Sequence, residues 1–145
     1  MATNRIKIIA VHPADLKRSI AAGVKITGNG ISIETEIPRE GRQFELEIEK
    51  TYHILANSRE DNFGLGERNP TIKPTDRTLK VPLVPMGEEC RIWLENIKRM
   101  IERGESQKAK RNIRTAKKVY KLMKEVPKEI IQILDLEKDI PGHTA

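Results

Sequence analysis

The hydrophobic period of this chain changes once, near Gly87, and that change limits the folds open to it. Before Gly87, apolar side chains alternate with polar ones. Ile31, Ile33 and Ile37 are interleaved with Ser32, Glu34 and Glu36, and Phe44, Leu46 and Ile48 with Glu45, Glu47 and Glu49. A period of two describes strands with one face buried and one face wet. After Gly87, Cys90, Trp93, Leu94, Ile97, Met100 and Ile101 recur every three or four residues, which describes one face of a helix. Strands followed by helices, rather than alternating with them, predict an α+β fold. The expected architecture is a small, mostly antiparallel sheet with one short helix, followed by a helical hairpin and a short third helix. Residues 1–86 form the β-rich part, and residues 87–145 form a basic helical region with a C-terminal tail.

Local signals fill in the elements. The run RIKIIAV at 5–11 reads as a strand. Pro13, Asp15, the Leu16/Ile20 pair and Gly23 predict a short helix over 13–22, with His12 as the residue before its start. A short strand over 24–27 leads to Gly28-Asn29-Gly30, which reads as a turn. Pro38 to Gly41 reads as the next turn. Tyr52 and Ile54 keep the parity of Phe44 to Ile48, so the strand beginning there extends past residue 50. Residues 57–78 are rich in Asn, Gly and Pro and read as one long loop, a length that suggests ordering by a partner. LKVPLV at 79–84 is a strand that Pro82 confines to an edge or a bulge. Ser106 is the expected N-cap of a second helix running to Lys124, with Ala109, Ile113, Ala116, Tyr120 and Met123 as its apolar seam. Pro127 starts the third helix, faced by Ile130, Ile131 and Leu134.

Composition bears on function. A third of the residues are charged and 3% are aromatic, so the core is aliphatic and thin. Such a chain is suited to burying further surface against a partner. The single cysteine, Cys90, excludes an intrachain disulfide and a cysteine-based zinc site, and it falls on the apolar side of a helix. The histidines His12, His53 and His143 are far apart in sequence. Gly64-Leu65-Gly66-Glu67-Arg68 lacks the Gly-Lys-Ser/Thr ending of a phosphate loop and reads as a turn. The strand glutamates have the spacing of a solvated sheet face. No Ser/His/Asp arrangement and no metal-ligand spacing stands out, so neither an enzyme nor a cofactor is expected. The N-terminal residues lack a signal-peptide pattern, and no apolar run approaches the about 20 residues needed to span a bilayer. The expected setting is the cytoplasm, or a particle assembled there.

The feature that points to a partner is the stretch 107–124. It carries Lys108, Lys110, Arg111, Arg114, Lys117, Lys118, Lys121 and Lys124 and no acid, more positive charge than the whole chain's net +6. Ordinary solvated helices mix signs and gain from i,i+4 ion pairs. A wide cationic face can dock on acidic protein surfaces, such as Glu34, Glu36, Glu45, Glu47 and Glu49 of another copy. It can also lie along a nucleic-acid backbone. The narrow seam, without Trp or Phe anchors, argues against a membrane surface. The leading expectation is a non-enzymatic structural or assembly subunit of a larger complex, in a virion, connector ring or ribonucleoprotein. Its docking residues would be these eight cations, its partners copies of itself or other protein subunits. A nucleic-acid-binding protein using the same face is the alternative.

Overall fold

The computed structural model describes residues 2–141. The order is eight strands, then three helices: β1 (Thr3–Val11), β2 (Ser19–Ile20), β3 (Ala22–Gly28), β4 (Ile31–Ile37), β5 (Arg42–Glu47), β6 (His53–Ser58), β7 (Leu65–Arg68), β8 (Thr78–Pro82), α1 (Gly87–Glu102), α2 (Ser106–Val119) and α3 (Lys128–Asp135). Short 3-10 turns follow α2 at Tyr120–Leu122 and α3 at Leu136–Asp139. The α+β class and the helical hairpin are as the periodicity predicts.

The strands form two sheets. In the first, β1 is central, with β2 and β5 antiparallel along one edge and β8 parallel along the other. The second has the order β4-β3-β6-β7 and is antiparallel throughout. Alternation in β1 sends Ile6, Ile8 and Ala10 inward, where they join Phe44 and Leu46 of β5 and Val24, Ile26, Ile54 and Ala56 of the other sheet. One aliphatic core thus serves both sheets. The turn at residues 28–30 is a two-residue hairpin: Gly28 pairs with Ile31, and Asn29 and Gly30 take φ of 50° and 77°. Positive φ at both central residues matches the right-handed twist of the strands they join.

Three readings of the β region need correction. Residues 13–22 hold no helix. The chain bends after His12 and returns as β2, because Ile20 is wanted opposite Ala10 in the sheet. The strand through Phe44 ends at Glu47, and Glu49 turns the chain with φ of 71°. Tyr52 and Ile54 then enter the other sheet. The glutamates therefore do not share one meander face: Glu34 and Glu36 lie on the second sheet, Glu45 and Glu47 on the first. Residues 57–78 are not one long loop. They contain β7, and Ile72 is fully buried, its N–H donating to Lys50 O and its carbonyl accepting from Glu49 N–H.

β7 is also the join between the strands and the helices. Gly64 N–H donates to Val84 O at 2.8 Å, and Val84 N–H donates to Leu65 O at 2.8 Å. Gly66 makes this approach possible, since a Cβ there would lie 2.1 Å from Pro82 O. β8 pairs only with β1, so Pro82 does sit on an edge strand.

The helices enclose a second apolar cluster built on Trp93, Ile97, Ile113, Ala116, Ile130 and Ile133. Trp93 is wholly buried, and its Nε1–H donates to Asn112 Oδ1 at 2.8 Å. Asn112 in turn donates to Lys108 O at 2.8 Å, so both its polar ends are satisfied. Helix α2 is shorter than expected, ending at Val119. Glu105 rather than Ser106 occupies the N-cap position, with no side-chain cap bond. In α3 it is Ile133, not Ile131, that is buried with Ile130; Ile131 points outward. The segment after Asp135 is not a free tail as far as Ile140, which is buried. Residues 142–145, including His143, lie outside the described residues.

The hairpin makes a stability prediction. Trp93→Ala should cost about 3–5 kcal/mol. Asn112→Ala, which strands the indole N–H, should cost about 1–3 kcal/mol. Because they share one hydrogen bond, the double variant should lose less than the sum. Urea unfolding of the three variants measures this, and strict additivity would show that the bond contributes nothing.

Candidate anion-binding groove

The eight cations of 107–124 meet different neighbours. α2 buries Ala109, Asn112, Ile113, Thr115, Ala116 and Val119, a wider strip than the predicted seam, and the opposite, exposed arc carries its cations with Arg114 near the middle. On one flank Lys110, Arg114 and Lys117 meet the C-terminal segment, where Lys117 Nζ lies 2.7 Å from Glu137 Oε1. On the other, Arg111, Arg114 and Lys118 turn toward β7 and β8. Lys108 is exposed at the start of the helix, and Lys121 and Lys124 are exposed beyond its end. Lys121 Nζ sits 5.9 Å from the centre of the Tyr120 ring.

The second flank closes a groove of about 310 Å³. One wall is α2, with Arg111, Arg114, Thr115 and Lys118. The other is the sheet, with Arg68 from the end of β7 and Lys80 and Pro82 from β8. Pro13 and Leu16, on the bend after β1, complete it. None of the lining residues is an acid. Arg68 is fixed by its Nη1–H, which donates to Lys80 O at 3.1 Å. Lys118 responds to the company it keeps: partial burial, then Arg68 and Arg114, lower its ammonium below the ordinary lysine value, and Glu67 offsets this in part.

The basic stretch was legible in the sequence; Arg68 and Lys80 were not. They sit 26 or more residues before α2, in a region read as loop and edge strand. The backbone contacts between residues 62–65 and 84–86 help bring them to the helix.

The bend that carries Pro13 and Leu16 hangs on His12, which is buried. Its Nδ1 accepts the Ala14 N–H at 2.9 Å, and its ring meets Phe63 edge-on at 5.8 Å. Arg18 lies over the same Phe63 ring at 5.2 Å and pairs with Glu89 of α1 at 3.1 Å.

The acids on the strands have cationic or polar partners of their own. Glu36 pairs with Arg59 at 3.1 Å, Glu45 with Arg5 at 3.6 Å, and Glu47 bonds the Asn29 amide. Glu34 lies opposite Lys25 in the sheet register. Cys90 is buried, which pushes its thiol up to about 12 and keeps it protonated. Among the described residues no helix is long and apolar enough to cross a membrane. Comparison with protein-family models, with curated proteins and with solved structures finds no match.

Burial, and secondarily Arg18, hold the His12 imidazole below its ordinary value of 6.5. Below pH 6.5 the unfolded chain therefore binds more protons than the folded one. The stability owed to neutral His12 is complete above pH 6.5 and is lost as pH falls through the depressed folded value. His12→Asn keeps an acceptor for Ala14 N–H without a titrating ring. Chemical-denaturation midpoints between about pH 5 and 7 should fall with acid in the wild type and fall less in this variant; equal slopes would show that His12 is not the group responsible.

Proposed function

We propose that this chain is a non-enzymatic subunit that docks into a larger complex through the cationic face of α2, and that the surface it meets is a nucleic-acid backbone. The observation that carries the reading is the groove: five cations drawn from three separate elements surround it, and no acid lines it. Clustered like charges repel one another, and an anionic ligand relieves that repulsion. A non-catalytic role agrees with a cysteine held as its thiol and, among the described residues, with histidines engaged elsewhere: His12 in the bend, His53 with Glu67 at 3.0 Å.

Docking on the acidic strands of a second copy has less to recommend it. Those glutamates are divided between two sheets, and Glu36 and Glu45 are already paired with Arg59 and Arg5 within the chain. The contact with nucleic acid would be to phosphates and not to base edges. α2 is poor in the amides that read bases, and Asn112 is committed to Trp93.

Changing Lys110, Arg114, Lys117 and Lys121 to glutamine tests the reading. Glutamine matches lysine closely in helix propensity, and the Lys117–Glu137 surface pair is worth about 0–1 kcal/mol, so the fold should survive. Wild-type affinity for DNA should fall steeply with salt, and the log–log slope should flatten by about 0.7–0.9 for each phosphate that is no longer neutralised. Light scattering with and without nuclease supplies the opposing outcome. A particle mass that nuclease leaves unchanged but the glutamine variant reduces would replace nucleic acid with an acidic protein surface.

A further inference from the structure

We infer that the groove between α2 and the β7–β8 edge holds a single-stranded nucleic-acid chain in preference to a duplex. This deepens the phosphate-backbone reading and rests on it. The groove has cations on both walls: Arg111, Arg114 and Lys118 on the helix, Arg68 and Lys80 on the sheet. A duplex is a wide convex cylinder. It meets the crest of α2 but cannot bring phosphates down between two walls. A single strand is narrow enough to lie in the cleft with cations on both sides of its backbone, which is how charged grooves track single strands.

The volume agrees. About 310 Å³ is at the low end of the range for small-ligand pockets, the size class of one nucleotide unit and not of a helical stem. The rest of the lining agrees too. Pro13, Leu16 and Pro82 give the groove an apolar side, and Leu16 is one of few large apolar side chains left exposed, at 36%. Sugars and the faces of unstacked bases are apolar surfaces that a single strand exposes and a duplex hides. The lining holds no aromatic ring on which bases would stack and only Thr115 as an uncharged polar side chain, so the strand would be held by its phosphates and binding should be tolerant of sequence. Burial first, and then Arg68 and Arg114, lower the Lys118 ammonium, and an anion in the groove would offset the part owed to those neighbours.

The test uses the full chain and two DNA probes matched in phosphate number, a single-stranded oligothymidine and a duplex, read by fluorescence anisotropy at about 0.1 M salt. Arg68→Gln with Lys80→Gln removes the sheet wall and leaves α2 intact. Lys110→Gln with Lys121→Gln removes charge outside the groove. A slope of about 0.7 per neutralised phosphate corresponds to roughly five-fold in affinity at 0.1 M salt relative to 1 M, so loss of the sheet wall should weaken single-strand binding by about 25-fold. Duplex binding should change far less, and the Lys110/Lys121 variant should weaken both probes alike. Lys80→Gln alone, which leaves the Arg68 hydrogen bond in place, should cost single-strand binding about five-fold and guards against a folding defect in the double variant. Equal or tighter binding of the duplex by the wild type, or undiminished single-strand affinity in both sheet-wall variants, would overturn the inference while leaving backbone binding in place. Failure of the wild type to bind either probe would overturn both.

Discussion

The backbone contacts between residues 62–65 and 84–86, with the paired bonds of Gly64 and Leu65 to Val84 at their centre, join the two halves of the molecule. Without them the chain would still have a strand half with its own core and a helical half with its own. With them, β7 runs against the end of β8, the chain leaves β8 directly into α1, and Leu65 packs into the helical cluster. The bonds tolerate little alternative chemistry, because Gly66 passes so close to Pro82 that any side chain would force the strands apart. Arg68 lies two residues further on. Its approach to Lys80, and of both to α2, follows from that one junction.

How much of this was legible depended on whether the signal was local. The alternation in β4, the turn at residues 28–30 and the three-and-four spacing of α1 are short-range patterns, and each produced the element it predicts. The failures share a different cause. Leu16 and Ile20 have helical spacing, yet Ile20 is taken by the sheet as the partner of Ala10, and Leu16 is left on an exposed bend. β7 has one large apolar residue among four and is specified by the strands beside it rather than by its own pattern. Ile72 sits between Asn- and Pro-rich residues, and only the return of the chain past Glu49 and Lys50 buries it. For the site, the sequence revealed the charge on α2 but could not reveal which cations face a second wall.

Asn112 illustrates the same limit inside a helix. Its amide marks it as polar, although its spacing from Ala109, Ala116 and Val119 places it on the apolar side of the helix. Its burial depends on Trp93, nineteen residues away, needing an acceptor for its indole N–H. The pairing lets the largest side chain of the thin core be fully buried without leaving a polar atom unsatisfied. It also withdraws from the surface one of the two side-chain amides of α2.

The two arms of the helical hairpin differ in a way that bears on the cationic surface. α1 follows the rules of local helix stability: Glu88 and Glu89 occupy its first turn, Arg99 its last, and Glu88–Arg91 and Glu95–Lys98 form ion pairs along its exposed side. α2 departs from them. Beyond Glu105 at its N-cap its first turn has no acid, its N-terminus has no side-chain cap bond, and Lys108 stands in the first turn at the positive end of the helix dipole. Arg111, Arg114 and Lys118 repeat like charge at spacings of three and four. Each departure costs a few tenths of a kcal/mol or more, and the helix is held by its buried strip against α1 and α3 instead of by its own sequence. Both arms had the same opportunity to mix charges along their exposed sides, and only α1 did so. Stability is given up locally, on one surface and with one sign of charge, on the helix that forms a wall of the groove, and this supports the proposed anionic partner.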